Sequence, residues 1–373
     1  MSTPFDGKIL LVNWKARNTP GMTIDECAQL IRAEMPNVAG IMLKCSNGNR
    51  WQGELNDFGP QAITGIERIG EWVETFAGHG LEVHSWGVPR AKGEGGQAAD
   101  LAGEAERFIQ AGRVAGVKSV SLDVEHGRFY WQGTAAEATE LMTLIRQGLP
   151  PPAHLSMILD GRHNRPFEQY VDPWLPFVDS LQPMVYPIMF GRKKSIVQHL
   201  DVAFDLLEPY GKPLVPMLQS VAEVGGRPTP EEITHQGEAA FARGAAGITF
   251  FRLGTDTWSG DGLSFMGPPE YQAVAQIQLP ESTSLADYSW YDVIRGTEGI
   301  ARQKEADWRA WLAQAAVWPA FSQFLKENRY GGPPLVDWPL PDESRGKIMA
   351  WLEEHSTAAE SDDGLMEDPF LTT

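Results

Sequence analysis

The stretch that decides the fold is VKSVSLDVEHG, residues 117–127. Its valines and its leucine are typical of a buried strand, and two carboxylates, Asp123 and Glu125, stand near its end. Side chains two residues apart in a strand point to the same face, so we expect the two acids to emerge together. A helix is predicted to follow, over about 134–147. A strand that leads into a helix is the repeating unit of a parallel sheet.

The same alternation of short apolar runs and longer helical segments extends over about 280 residues. Strands are predicted at 9–12, 39–45, 81–88, within 117–127, and at 154–160, 182–187, 213–219 and 247–253. Helices are predicted over about 23–35, 61–77, 97–113, 134–147, 194–207, 229–243 and 270–278. Eight strands with helices between them, in a segment of this length, predict a (β/α)8 TIM barrel, which is an α/β fold.

A doubly wound open sheet would show the same alternation of strands and helices. Nucleotide-binding sheets carry GxGxxG after the first strand or a GxxxxGK[ST] loop, and neither motif occurs in this sequence. The glycine-rich AKGEGG at 91–96 fits neither spacing. The barrel is therefore the preferred prediction, and no cofactor is expected.

The character of the sequence changes near residue 280, where LPESTS (279–284) is typical of a linker. We predict a barrel domain over 1–280 and a tryptophan-rich helical appendage over 281–356. The remaining residues, 357–373, form an acidic tail that we expect to be flexible. The helical spacing of Trp308 and Trp311 favours a docking face over a ligand site. The appendage is thus also a candidate contact for a protein partner.

The formal net charge of the 373-residue chain is −18. This acidic excess argues against binding to nucleic acid or to an anionic membrane surface. The N-terminal segment has no basic region followed by an apolar stretch, and no run of 18 apolar residues occurs. We therefore expect a cytoplasmic or virion-associated protein with neither nucleic-acid nor membrane partners. The two cysteines, Cys27 and Cys45, give neither a disulfide framework nor a metal-ligand spacing.

Enzymes with this fold hold their chemistry at the carboxyl ends of the strands, so the residues there are the functional candidates. The candidates for catalysis are Asp123, Glu125, Asp160 and Tyr186. The candidates for substrate binding are Asn13, Trp14, Lys44, His84, Trp86, Gln219 and Arg252. The set is rich in acids, amides and aromatic rings and poor in histidine, so no metal site is predicted.

Glycoside cleavage is the chemistry that fits these candidates best. It requires a carboxylic acid to protonate the leaving oxygen and a negative group to support the oxocarbenium-like transition state. Two like charges side by side raise the pKa of one carboxyl, so Glu125 and Asp123 can supply both functions. Tyr186 can hydrogen-bond the reacting sugar, and Asp160 is a candidate second acid. Tryptophan rings offer flat apolar faces on which sugars can stack.

Several candidates have an equally simple structural interpretation. Lys44 and Arg252 are often ion-pair partners of nearby acids, which lowers the pKa of the carboxylate that each contacts. A buried, hydrogen-bonded His84 is as well supported as a functional one. Asn13 and Gln219 can hold loops through hydrogen bonds instead of binding substrate. Acids at a strand end can also be merely solvated.

Other reaction classes have weaker support in the sequence. His84, Asp123 and Glu125 could supply three ligands to a metal-dependent hydrolase, but their spacing is not diagnostic. A serine nucleophile lacks its GxSxG elbow. A nucleophilic Cys45 would need a histidine beside it, and nothing in the sequence places one there.

Four segments carry a resemblance to known glycosidases. SVSLDVEHG (119–127) resembles the fourth-strand DxE of the family-18 chitinases and family-25 muramidases. QPMVYPIMFG (182–191), PLVPMLQSV (213–221) and TPEEITHQGEAAFARGAAGITFFRLGTDTW (229–258) resemble glycoside-hydrolase-like barrels with PMVYP and WLQ signatures. The likeness extends over about residues 9–278 in layout, but only these segments match in sequence.

The resemblance implies a TIM barrel, a sugar substrate and Glu125 as the general acid, assisted by Asp123. In the chitinase pattern the N-acetyl group of the substrate is the nucleophile, and Tyr186 stands at the matching tyrosine. The chain departs from the family motifs at four positions. Lys118 and Ser121 replace the first two aspartates of DxxDxDxE, Asn13 replaces the first-strand aspartate of muramidases, and Met217 replaces the tryptophan of PWLQ.

Two functions of different classes follow from these observations. The leading hypothesis is a glycoside hydrolase that acts on a polysaccharide partner, with N-acetyl sugars such as peptidoglycan or chitin as candidates. The alternative is a non-catalytic carbohydrate-binding or structural barrel, for example in a phage tail or a similar assembly. The replaced acids favour the alternative, and the retained DxE favours the enzyme.

Overall fold

A closed barrel of parallel strands forms the part of the chain that the computed structural model describes. That part is residues 3–279, apart from 20, 56, 58, 93–98, 126–128, 163–170, 222–225 and 255–265. The barrel strands are β1 (Ile9–Asn13), β2 (Val38–Asn47), β4 (Glu82–Val88), β5 (Val117–Asp123), β6 (Leu155–Asp160), β7 (Ser180–Val185), β8 (Met217–Gln219) and β9 (Ile248–Phe251). Each pairs in parallel with its neighbour, and β1 pairs with both β2 and β9, which closes the ring.

Helices connect the strands and cover the outside of the ring. They are α1 (Ile24–Glu34), α2 (Ile66–Gly78), α3 (Leu101–Arg113), α4 (Ala135–Gly148), the short α5 (Pro187–Phe190), α6 (Ile196–Leu207), α7 (Pro230–Ala242) and α8 (Pro268–Ala275). The order of strands and helices is that of a (β/α)8 barrel, so the predicted fold is confirmed.

Alternate residues of each strand pack into two separate apolar clusters. In β1, Ile9 and Leu11 belong to the larger cluster, which lies between the strands and the helices. Leu10 and Val12 point the other way and pack with Phe5 in the smaller cluster inside the barrel. This period of two follows from the pleat of the strand, and it explains why these strands are apolar on both faces.

Two predicted strands have different bounds because of proline. The predicted strand 213–219 is reduced to Met217–Gln219, since Pro213 and Pro216 have no N–H to donate to the ladder. The predicted strand 182–187 lies at Ser180–Val185, and Pro187 occupies the first turn of α5, where its missing N–H costs nothing.

Two predicted helices begin later than the sequence pattern indicates. Asp100 caps α3 by accepting a hydrogen bond from the N–H of Gly103 at 3.0 Å, so the helix starts at Leu101. Gln61 precedes α2 and lies in a loop, where its side chain accepts a hydrogen bond from Thr19 Oγ1 at 2.6 Å.

A short antiparallel hairpin follows β2, in a segment predicted as a loop. Strand β3 (Arg50–Trp51) folds back on the end of β2, with Ser46 opposite Trp51. The turn contains Gly48 at φ +60°, a conformation that glycine adopts without steric cost.

The predicted appendage (281–356) and acidic tail (357–373) lie outside the described residues. The division of the chain into a barrel and these two parts therefore stays a prediction. Within the described residues, no helix combines the length and the apolar character needed to cross a membrane.

Candidate active site

A cavity of about 290 Å³ opens at the carboxyl ends of the barrel strands. Its walls come from many strands, as is usual for an active site in this fold. Eight of the side chains named from the sequence line it: Trp14, Lys44, Trp86, Asp123, Glu125, Asp160, Tyr186 and Arg252. The structure therefore brings all four catalytic candidates into one place.

The acid pair occupies the end of β5 and the start of the following loop. Asp123 is the last residue of the strand, and the N–H of Val124 continues the ladder to Ile158 O at 2.9 Å. The loop is closed by the N–H of Trp131, which donates to Glu125 O at 3.1 Å. The backbone on both sides of Glu125 is thus held by hydrogen bonds while its side chain lines the cavity.

The two acids differ in burial. Asp123 is only 7% exposed, whereas Glu125 is half-buried. Among the described residues, Asp123 Oδ1 has no hydrogen-bond partner. Burial, reinforced by the charge of Glu125, raises the pKa of Asp123 well above its usual range, and Lys44 partly opposes this rise. Asp123 therefore holds its proton at pH values where an exposed aspartate is ionised.

Asp160 is bound to a residue that the sequence did not identify. Arg162 donates to it through the backbone N–H (3.0 Å), Nε (2.8 Å) and Nη2 (2.5 Å). These hydrogen bonds fix the orientation of the Asp160 carboxyl and raise the pKa of Arg162. The guanidinium of Arg162 also lies 4.3 Å from the ring centroid of Phe190. The pairing favours an orienting role for Asp160.

Cations lie over the two tryptophans that line the cavity. Lys44 Nζ is 4.9 Å from the ring centroid of Trp86, whose Nε1 donates to Asn13 O at 3.2 Å. The guanidinium of Arg252 lies 4.6 Å from the ring centroid of Trp14, and Lys15 Nζ lies 3.9 Å from it. Cation–π contacts of this kind engage the ring faces that a sugar would otherwise use.

Another wall of the cavity is mostly apolar, and most of its residues were not identified from the sequence. The additional lining residues are Tyr130, Ile158, Arg162, Met184, Met189, Phe190, Met217 and Phe251. Tyr186 belongs to this wall, with its ring centroid 5.9 Å from those of both Phe190 and Phe251. The strand period of two would have identified Ile158 and Met184, because each stands two residues before a named candidate.

Three of the named candidates lie outside the cavity lining. Gln219 Nε2 donates to Val221 O (3.0 Å) and Gly226 O (3.2 Å), and its Oε1 accepts from Met189 N at 3.2 Å. Asn13 is buried at the end of β1, where its carbonyl accepts the bond from the Trp86 indole. Both therefore support the walls of the cavity.

The third, His84, is fully buried inside the barrel, away from the acid pair. Its Nδ1 shares a hydrogen bond with Ser119 Oγ at 2.8 Å, and its ring stacks on Phe5 at 5.0 Å. Burial lowers its pKa, so a neutral imidazole is favoured. A metal site built from His84, Asp123 and Glu125 does not form: no group of three or more His, Cys, Asp or Glu in the described part could hold an ion.

The fold and the cavity together define a (β/α)8 barrel with an acid pair at its open end. In sequence, no family model matches the chain, and no curated protein is similar to it. Comparison with solved structures finds a glucosidase from Croceicoccus marinus, with a TM-score of 0.52 and 11% identity over 74% of this chain and 66% of that one.

Two further barrels are similar over their whole length. A GH113 β-1,4-mannanase aligns with a TM-score of 0.51 and 13% identity, covering 74% of this chain and 100% of that one. A GH18 chitinase from Pseudoalteromonas aurantia aligns at 15% identity over 73% and 100%, with a TM-score of 0.46. At these identities the similarity shows the fold alone.

Proposed function

We propose that the protein is a glycoside hydrolase that cleaves a polysaccharide, with glycans containing N-acetyl sugars as the first candidates. The observation that carries this proposal is the acid pair. Asp123 and Glu125 line one cavity, and Asp123 is buried with a raised pKa. Glycoside cleavage requires a carboxylic acid that protonates the leaving oxygen and a second carboxyl close to it, and this pair supplies both.

Glu125 is the proposed general acid. It stands beyond the strand end, half-buried in the cavity wall, where a leaving oxygen can reach it. Its proton passes to the glycosidic oxygen as the bond from that oxygen to the anomeric carbon breaks. Asp123 assists because it shares the charge and proton of the pair. A water molecule then completes hydrolysis: its oxygen bonds to the anomeric carbon, and the proton that it loses returns to Glu125.

Tyr186 and Asp160 are proposed to orient the reacting sugar. Tyr186 is buried in the apolar wall and lines the cavity, where its hydroxyl can bond to a ring substituent. Asp160 is held by Arg162 in a fixed orientation and presents a carboxylate to sugar hydroxyls. An N-acetyl group bound at Tyr186 could attack the anomeric carbon, which is the route implied by the chitinase-like pattern.

Barrels of similar fold include a glucosidase and a mannanase. This analogy supports a sugar substrate.

The test is a comparison of wild type with Glu125→Gln on a panel of polysaccharides that includes chitin and peptidoglycan. We expect the wild type to release reducing ends from at least one glycan and the variant to release almost none, because Gln cannot donate the proton. General acid catalysis contributes about 10²–10⁴-fold. The melting temperature should stay nearly unchanged, since the side chain is only half-buried.

Glu140→Gln is the matched control, because Glu140 is exposed on the following helix, α4. It should retain full activity. Normal cleavage by Glu125→Gln would contradict the assignment of the general acid. Retention of glycan by the wild type without any release of reducing ends would identify a carbohydrate-binding barrel instead.

A further inference from the structure

We propose that Lys44 is a positioning residue for the acid pair: its buried ammonium lies in the same cavity as Asp123 and Glu125 and fixes the number of protons that the pair carries. This role differs from direct substrate binding. Only the kinetic consequence of this role rests on the proposed function. The protonation of Asp123 as a function of pH can be measured without any substrate.

The position of Lys44 is set by the barrel register. Lys44 lies in β2 opposite Trp86 of β4, and Trp86 lies opposite Ser121 of β5, two residues before Asp123. Lys44 Nζ stacks on Trp86 at 4.9 Å and lies 6.0 Å from the ring centroid of Trp14. Both ring contacts lie at the wall of the cavity that Lys44 lines together with Asp123 and Glu125.

The burial of Lys44 makes its charge effective at a distance. Lys44 is 8% exposed and Asp123 is 7% exposed, so little solvent screens the interaction between the two side chains. Desolvation lowers the pKa of Lys44 to about 8, and the nearby charges of Asp123 and Glu125 oppose this shift. The ammonium therefore stays mostly protonated at neutral pH and stabilises an ionised carboxylate in the pair.

Other charged groups also surround Lys44. Asp57, from the segment after the β2–β3 hairpin, favours the ammonium, and Arg90, just after β4, disfavours it. On the far wall, Asp160 is bound to Arg162. Arg252 and Lys15 lie over Trp14. Lys44 and Asp123 are both buried and line the same cavity, and the charge of Lys44 partly opposes the rise in the pKa of Asp123 that burial and Glu125 cause.

In β5, the residue that faces inward two positions before Asp123 is Ser121, which cannot form an ion pair with the acids. Ser121 is neutral, and its hydroxyl accepts a hydrogen bond from Gln182 Nε2 at 2.9 Å. The compensating charge comes from β2 instead. A buried acid pair without such a cation would hold its protons more tightly, because each ionisation would leave an uncompensated buried charge.

The experiment is a carboxyl ¹³C NMR titration of the full-length protein labelled at the aspartate side chains. Asp123→Asn assigns the Asp123 signal. Relative to wild type, Lys44→Met should raise the pH midpoint of that signal by about 1 unit or more, the usual effect of losing a nearby opposite charge. Lys44→Arg should restore a midpoint near the wild-type value.

Lys118→Met is the matched control. Lys118 is exposed and lies in β5, at the end of the strand opposite to Asp123. It should leave the Asp123 midpoint unchanged. If Lys44→Met does not fold, Lys44→Gln removes the same charge with a polar side chain. An unchanged Asp123 midpoint in the folded neutral variants overturns the proposal.

The kinetic consequence separates this proposal from the proposed function. If the protein cleaves glycan, Lys44→Met should move the pH–activity profile to higher pH. A rise in KM without any movement of the profile would instead show Lys44 to be a substrate-binding residue, and would overturn the proposal. Should no glycan be cleaved by the wild type, the proposed function fails while the NMR titration still decides the role of Lys44.

Discussion

Burial gives Asp123 and Lys44 properties that neither side chain has in water. Asp123 and Lys44 are both withdrawn from solvent, which destabilises each charge separately and makes their mutual attraction stronger. Asp123 responds with a raised pKa and Lys44 with a lowered one. Burial thus brings the pKa of this carboxyl and the pKa of this ammonium closer together.

A second buried acid gives a prediction about stability at the residue scale. Glu104 is buried in α3 and accepts a hydrogen bond from the Arg90 N–H at 2.8 Å, and burial raises its pKa from 4.5 to about 7. At pH values between 4.5 and about 7, Glu104 binds its proton more tightly in the folded state than in the unfolded state. Glu104 therefore contributes stability at low pH that is lost as the pH rises to about 7.

Glu104→Gln should remove this loss. The free energy of unfolding of the variant minus that of the wild type should increase from pH 5 to pH 7. The slope should be roughly 1 kcal/mol per pH unit at most. Urea denaturation at a series of pH values measures the difference. Glu106→Gln, an exposed change two residues along the same helix, is the control. A constant difference across this range would show that Glu104 titrates as an ordinary carboxyl.

At the scale of elements, the loops after β7 and β8 are joined by one side chain. Gln219, at the end of β8, bonds to Met189 N in the short helix after β7 and to two carbonyls of its own loop. Gln236 of α7 binds the Gln219 backbone N–H at 3.0 Å. These bonds hold the apolar wall on which Met189 lies.

Gln219→Ala should therefore lower stability by about 1–3 kcal/mol, because it leaves buried backbone groups without partners. Urea unfolding measures the loss, and Gln272→Ala, an exposed change in α8, should be nearly neutral. A sugar-binding Gln219 would behave differently: glycan affinity would fall while stability stayed the same. That outcome would refute the interpretation of Gln219 as a support for the loops.

The elements were predictable where local signals agreed with the tertiary structure. Thr23, Thr134 and Thr229 each begin a helix with a capping box, and the pattern of residues alone indicates such starts. The length of β8 was not predictable from its apolar residues, since Pro213 and Pro216 interrupt its ladder. The β2–β3 hairpin was missed because a two-residue strand has almost no periodicity to detect.

At the scale of the whole molecule, the barrel has a closed end and an open end. Phe5 is fully buried among the inward residues and contacts His84 at 5.0 Å and His154 at 5.5 Å. Lys8 binds Glu82 at 2.8 Å near that end. The polar chemistry of the cavity is therefore confined to the carboxyl ends of the strands.

The face and the depth of each side chain in the barrel explain which site residues could be identified from the sequence. Strand period tells which face a side chain takes, and His84 and Trp86, two residues apart, were both named as candidates for substrate binding at the carboxyl ends of the strands. It does not tell the depth, which depends on the stagger of neighbouring strands. Trp86 reaches the cavity, whereas His84 lies one layer deeper, against Phe5. Arg162 and Tyr130 were missed because they come from loops, where no period applies.

The central claim is that Glu125 gives its proton to the leaving oxygen, and the most direct test varies the leaving group. On a glycoside of the cleaved sugar with a dinitrophenyl leaving group, which departs without protonation, Glu125→Ala should retain most of the wild-type rate of bond cleavage. On the natural glycan the same variant should lose about 10²–10⁴-fold in kcat/KM. Equal losses on both substrates would contradict the account, because they would show that Glu125 acts on something other than the leaving oxygen.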